Sequence, residues 1–321
     1  MDIKLTKKDW KVLYELEKDA RQPLNSIAKK LGLSKQLLSY MMKKYENQKI
    51  ILTYTAIIDS SRLGYYTYRI YLKLQRLNKY EDKEKLLNFL VDIPETTIVN
   101  SLDGYWDIGM TITVTNIYDF YKVWDKIMSY RKNIGDYKIG IYSPIYHFTR
   151  TMISPQPEKE YPKVMMLGGK DRIDYDKDDI TVLKELAKNV RTPIIHIAKK
   201  IGKSPQFIAR RIKNLEKNGV IQGYRPLFNW NLLGYMYFKI NVHLEDYKRK
   251  KEMFQFCRQH PNVIQVNQVI GGSDFEFEVF VKDKKQFQSI MQGFQSKFSD
   301  VIINYDYFTV KKPYKETFMA I

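Results

Sequence analysis

The chain has 321 residues, 44% of them hydrophobic and 28% charged, which supports roughly two to four domains with their own cores and excludes a disordered chain. The charged start Met1-Asp2-Ile3-Lys4-Leu5 is not expected to act as a signal peptide, and no apolar run approaches the length of a membrane span. The single cysteine, Cys257, excludes an intramolecular disulfide and a thiolate metal cluster, so a globular cytoplasmic protein without membrane contact, metal or cofactor is expected.

In chain order, Trp10, Leu13 and Leu16 mark one helical stripe, Ile27, Ala28 and Leu31 a second, and Leu38, Met42 and Tyr45 a third. Pro23 suits the start of the second helix and Gly32 its end, and Ser34 is placed to cap the third. Two helices joined by a short glycine-containing turn form a helix-turn-helix, and the β-rich run Ile50-Ile51-Leu52-Thr53-Tyr54 suggests a wing. Residues 1–60 therefore read as a winged helix-turn-helix. Residues 61–150 then read as strand (65–77), helix (82–92), two strands (96–103 and 107–115), helix (117–131) and strand (136–148). That βαββαβ order implies a ferredoxin-like domain. Residues 151–173, with Pro155, Pro157, Pro162, Gly168 and Gly169, read as a linker.

The chain then repeats itself. At a shift of 170, about 22 of the 57 positions from 9 to 65 are identical without a gap, among them Ile27-Ala28-Lys29-Lys30 with Ile197-Ala198-Lys199-Lys200 and Leu63-Gly64-Tyr65 with Leu233-Gly234-Tyr235. Residues 174–230 are a second winged helix-turn-helix and 231–321 a second ferredoxin-like domain, whose run Phe275-Glu276-Phe277-Glu278-Val279 alternates like a sheet with one wet face. The fold class is α+β, in two tandem units.

Charge follows this division. Residues 1–60 carry +5 and residues 174–230 carry +6 of the net +18. Cation concentrated on the two helix-turn-helix segments favours a polyanionic partner, double-stranded DNA. If the third helix of each segment lies in a major groove, its outward face presents Ser34, Lys35, Gln36, Ser39, Tyr40 and Lys43 in the first copy. In the second copy that face is Pro205, Gln206, Ala209, Arg210 and Lys213, and the capping Ser204 and Arg211 join it as DNA-contact candidates. Glutamine can pair with adenine and arginine with guanine, while lysines hold phosphate, which sets affinity but not sequence.

Ser204-Pro205, Arg211, Leu215-Glu216, Gly219-Val220-Ile221 and Gly223-Tyr224, with Leu183, Leu186 and Ile197-Ala198, resemble the Lrp/AsnC (leucine-responsive) family of prokaryotic transcriptional regulators. The first copy departs from the pattern: Met41 stands opposite Arg211 and Lys49 opposite Gly219. Loss of the arginine removes either a phosphate contact or a helix-supporting ion pair, and loss of the glycine is expected to alter the turn into the wing. The resemblance implies an effector-sensing second domain that pairs through its sheet, within one chain or between chains as a homo-oligomer. It also implies a small-molecule effector, such as an amino acid, near the glycine-to-aspartate hairpins. Those hairpins hold Gly104 and Asp107, and Gly271 and Asp274.

Two alternatives share this composition. Siroheme decarboxylases resemble the chain in architecture, and of the four histidines (His147, His196, His243 and His260) only His147 invites a catalytic reading. A lone histidine is more often structural, and no HExxH, CxxC, P-loop or GxSxG pattern accompanies it. A non-specific DNA-organising protein is the other alternative, marked by salt-dependent binding without sequence preference.

Overall fold

The computed structural model describes residues 4–76, 80–169 and 171–320. Residues 1–3, 77–79, 170 and 321 lie outside that description, and with them the end of the strand expected at 65–77.

The first head consists of α1 (Lys7–Lys18), α2 (Leu24–Leu31), α3 (Lys35–Asn47) and β1 (Ile51–Ile58). A capping box starts α1: the Thr6 side chain accepts from the Asp9 amide, and the Asp9 carboxylate accepts from the Thr6 amide at 2.7 Å. Gly32 ends α2 at φ 63°, and the Ser34 hydroxyl accepts from the Leu37 amide to begin α3. The first sheet domain follows as β2 (Tyr66–Leu74), α4 (Tyr80–Asp92), β3 (Thr96–Asp103), β4 (Ile108–Val114), α5 (Ile117–Met128) and β5 (Ile134–Phe148).

The segment read as a linker holds a short strand, β6 (Val164–Leu167), paired with the end of β5. Ile153, also in this segment, is buried in the core of the heads. The second half repeats the order with α6 (Lys177–Lys188), α7 (Ile194–Ile201), α8 (Pro205–Lys217), β7 (Ile221–Phe228), β8 (Met236–Leu244), α9 (Lys250–Gln259), β9 (Val263–Ile270), β10 (Phe275–Val281), α10 (Lys284–Phe298) and β11 (Ile302–Glu316).

The halves are joined at two levels. In the heads, β1 and β7 pair antiparallel with each other, from Ile51 opposite Phe228 to Ile58 opposite Ile221. The β-rich run read as a wing in each head thus pairs with the corresponding run of the other half. Each β-rich run is followed by a turn that leads into the sheet domain, so its pairing partner comes from the other half. The exchange continues into the helices: the Ala20 amide donates to the Tyr224 carbonyl (3.0 Å), and the Val190 amide donates to the Tyr54 carbonyl (2.9 Å). One continuous core of Leu13, Leu16, Tyr45, Leu183, Leu186 and Leu215 serves both heads.

In the sheet domains, the strands run in the order β2-β4-β3-β11-β8-β10-β9-β5, and β5 returns to β2. The two four-stranded sheets therefore close into an eight-stranded ring, and both seams (β3 with β11, β9 with β5) lie between the halves. β11 outruns its expected end at 311 because residues 312–316 pair with Ser101 to Ile98 of β3 in the other half. Alternation assigns the faces. Tyr68, Ile70 and Leu72 of β2 pack outward in one apolar core with Leu87 and Leu90 of α4 and Val123 of α5. Phe238, Ile240 and Val242 of β8 do the same with Met253 and Cys257 of α9 and Phe294 of α10. The opposite face of each strand lines the inside of the ring.

Candidate DNA-contact helices and the cavity between the sheets

On α3, Lys35, Gln36, Tyr40 and Lys43 are exposed and Ser39 is partly so, above the buried Leu38, Met42 and Tyr45. On α8, Pro205, Gln206, Ala209, Arg210 and Lys213 are exposed above Ile208, Ile212 and Leu215. The two faces sit on equivalent helices but differ in chemistry. Ser34 and Ser204 lie at the start of these faces, and each hydroxyl oxygen accepts from the first turn, from Leu37 at 3.1 Å and from Phe207 at 3.1 Å.

Arg211 departs from this outward set. Its guanidinium meets Asp176 at 2.5 Å and Asp179 at 3.1 Å, and it stacks over the Phe207 ring at 4.9 Å. Of the two roles open to it, the structure shows the ion pair that ties α8 to the start of α6. A phosphate contact would compete with two carboxylates. In the first head Met41 is buried at the matching position, and Asp9, the counterpart of Asp179, instead accepts from the Tyr45 hydroxyl at 2.7 Å. Hydrogen bonds from Thr6 and Tyr45 overcome the desolvation of Asp9 and hold its pKa below the ordinary carboxylate value.

The turn into the strand is also the same in both heads. Lys49 has φ 57° and Gly219 φ 68°, so replacing glycine leaves the turn in place and puts a side chain in the left-handed region.

At the hairpins, Asp107 accepts from the Leu74 amide at 2.8 Å and faces Lys73 at 3.3 Å. Asp274 accepts from the Leu244 amide at 2.9 Å and from the Tyr247 hydroxyl at 2.6 Å. Both carboxylates thus tie a hairpin to the end of a neighbouring strand. Gly104 and Gly271 lie at the seams. A Cβ at Gly104 would stand 2.9 Å from the Phe308 side chain, and one at Gly271 would stand 2.9 Å from the Ile139 carbonyl. Each glycine admits a strand of the other half. A cavity of about 400 Å³ opens beside the two hairpins, lined by Arg69, Tyr105, Trp106, Ser273 and Tyr307 among others.

The larger cavity, about 800 Å³, fills the ring and extends toward the heads. Arg69, Lys239 and Glu278 of its wall belong to a buried ion quartet that Glu276 completes. Arg69 pairs with Glu276, and Lys239 reaches Glu276 at 2.9 Å and Glu278 at 3.2 Å. Glu276 is desolvated, but Lys239 and Arg69 outweigh that and draw its pKa below the ordinary value. The alternation at Phe275–Val279 therefore has a different meaning from the expected one. Glu276 and Glu278 face the interior of the ring and are buried and paired. Arg69 and Lys239 hold equivalent registers, opposite Thr111 in β4 and Glu278 in β10, so the carboxylates come from the second half alone.

Near the heads the cavity wall carries His147, Arg150 and Arg225. Arg150 pairs with Glu17 of α1 at 3.3 Å and stacks on Trp230 at 5.1 Å. Burial first, then the neighbouring Arg225 and Arg150, push the His147 pKa well below its ordinary value and keep the ring neutral. Sequence reading passed over Arg150 and Arg225, which no local motif marks, and treated His147 as a lone side chain. The three meet only when β5 and β7 are brought together. Among the described residues there is no group of three or more metal-ligating side chains, and no helix is long and apolar enough to cross a membrane.

The family model for winged helix-turn-helix DNA-binding segments matches residues 5–51 and 176–222. The proline dehydrogenase transcriptional activator of Rhodobacter capsulatus is 33% identical over 120 residues, 36% of this chain and 77% of that protein. The leucine-responsive regulatory protein of Rhizobium meliloti is 28% identical over 123 residues, 37% of this chain and 79% of that protein. Among solved structures, the siroheme decarboxylase NirDL superimposes with a TM-score of 0.63 at 13% identity, covering 98% of this chain and 94% of that one. At that identity the match shows a shared fold alone. With a DNA-binding segment in each half and regulators as its sequence relatives, the chain belongs to the Lrp/AsnC family of transcriptional regulators, as two tandem units in one polypeptide.

Proposed function

We propose that this DNA-binding regulator is sequence-specific, that its two heads read unlike half-sites, and that a small-molecule effector seated in the large cavity adjusts how the heads are held. The observation that carries the reading is the pair of outward faces on α3 and α8, presented by one shared core. Gln36 and Gln206 suit adenine and Arg210 suits guanine, while Lys35, Lys43 and Lys213 suit phosphate. The effector arm is supported by the engagement of Asp107 and Asp274 with backbone amides, which leaves the interior cavity as the better seat. That cavity touches both β7 and, through Arg150 and Glu17, α1.

Replacing Gln206 or Arg210 with Ala in the full chain tests base reading. The expected result is a loss of about 1–3 kcal/mol on the preferred duplex and little on unrelated duplexes. Equal loss on every duplex would assign these residues to phosphate and favour a non-specific DNA-organising role.

Chemistry on a carboxylate substrate is a second reading, favoured by one observation: neutral His147 lies beside two arginines on a cavity wall. Incubation with siroheme tests it, since absence of a bound tetrapyrrole absorption band discards it.

A further inference from the structure

We infer that the head-proximal end of the large cavity is a binding site for a carboxylate carried on a flat apolar body, with Arg225 as its anchor. Arg225 projects from β7 and is 1% exposed. Among the described residues it makes no ion pair, and its one side-chain hydrogen bond is from Nη2 to the Met165 sulfur at 3.8 Å. Its Nε has no acceptor. A guanidinium offers five donors in a fixed fork, and a buried charge without a partner is costly. A carboxylate matches that fork in two parallel hydrogen bonds.

The surroundings narrow the ligand. Arg150 adds a second cation, already paired with Glu17 on one side and with its own Nε unsatisfied. His147 lies on the same wall. Glu316 of β11 also lines this cavity and lies beyond ion-pair distance of both arginines, so it competes with an incoming anion without replacing it. The central quartet, with two cations and two carboxylates, makes no such demand. Tyr142, Tyr237, Trp230 and Phe318 supply aromatic wall, which suits a flat apolar body, and a volume of about 800 Å³ is in the range of small-molecule sites. The lining includes Leu52 and Tyr66, which are 50% and 46% exposed, so the cavity reaches the surface between heads and sheets. The counterpart of Arg225 in the first half is Thr55, whose hydroxyl donates to the Ala187 carbonyl at 2.9 Å. The first half therefore has no arginine at the position equivalent to this anchor. Because β7 also joins the heads, the site deepens the effector reading and rests on it for its consequence; binding itself is measured without DNA.

The test uses the full chain with two probes that share an apolar body, 1-pyrenebutyrate and the uncharged 1-pyrenebutanol, followed by fluorescence anisotropy. The acid is expected to bind about tenfold or more tightly than the alcohol. Arg225→Met should abolish that preference and leave alcohol binding in place. Arg225→Lys, which keeps the charge but loses the fork, should reduce the preference several-fold and serves if the methionine variant does not fold. Glu316→Gln should tighten acid binding by removing the competing carboxylate. Equal binding of acid and alcohol, binding of neither, or a preference untouched by both Arg225 variants would overturn the site. Failure of DNA recognition would overturn the regulator reading and leave these results standing.

Discussion

At the scale of single residues, the two heads reach the same geometry by different means. Lys49 occupies a left-handed turn that Gly219 occupies without a Cβ. A side chain there costs about 1–2 kcal/mol, offset in part by the extra freedom glycine has when unfolded. Lys49→Gly should therefore stabilise the protein by up to about 1 kcal/mol, seen as a higher denaturant midpoint; a lower midpoint would show that the Lys49 side chain contributes more than its strain costs. Arg211 bridges Asp176 and Asp179, and its replacement leaves Asp179, only 8% exposed along its side chain, without its cation. Arg211→Met should cost about 1–2 kcal/mol, because the pair is partly exposed. Adding Leu215→Tyr should recover most of that by supplying the hydroxyl that Tyr45 gives Asp9. The salt dependence of DNA binding should be unchanged in Arg211→Met, whereas a slope lower by about one would restore Arg211 as a phosphate contact.

At the scale of elements, the head is an exchanged unit. β1 lies against α6 of the second head, where the Thr55 hydroxyl donates to the Ala187 carbonyl and the Thr53 hydroxyl to the Lys188 carbonyl. A fragment of residues 1–60 keeps β1 but loses β7, its one β-partner among the described residues. It should show no cooperative thermal transition, and a two-state melt of that fragment would contradict the shared core. Comparison of the heads therefore has to use substitutions in the full chain.

This is also where the sequence stops being informative. Helices, caps and most strand limits are local, and Ser34, Gly32, Pro23 and the apolar stripes mark them directly. Period-two alternation says that Phe275, Phe277 and Val279 share one face and Glu276 and Glu278 the other. It does not say that the second face is the inside of a closed ring. The wing and the end of β11 depend on pairing between segments more than 100 residues apart, and Arg225 reaches the wall that holds His147 from the other half. No local pattern records that pairing, so nothing in the sequence around Arg225 or Arg150 marks them.

At the scale of the whole molecule, the duplication places within one chain an arrangement that separate copies would have to form symmetrically. Closure of the ring uses seams between the halves, so the heads are paired without a second polypeptide. Fusion also releases the halves from identity. Glu276 and Glu278 correspond to Gly109 and Thr111 of the first half in the repeat, and Arg225 corresponds to Thr55. The cavity is accordingly lopsided, and so are the recognition faces, with Ser39 and Tyr40 on α3 where α8 carries Ala209 and Arg210.

The central claim is that one chain reads DNA through two unlike heads held at a fixed spacing. Selection of bound duplexes from a random pool by the full-length protein, followed by sequencing, tests it most directly. The expected result is an enriched site with two different half-sites, centred about one helical turn apart or a multiple of it, of which Gln206 and Arg210 variants lose only one. Absence of any enriched sequence, or a single half-site occupied by a lone head, would contradict it.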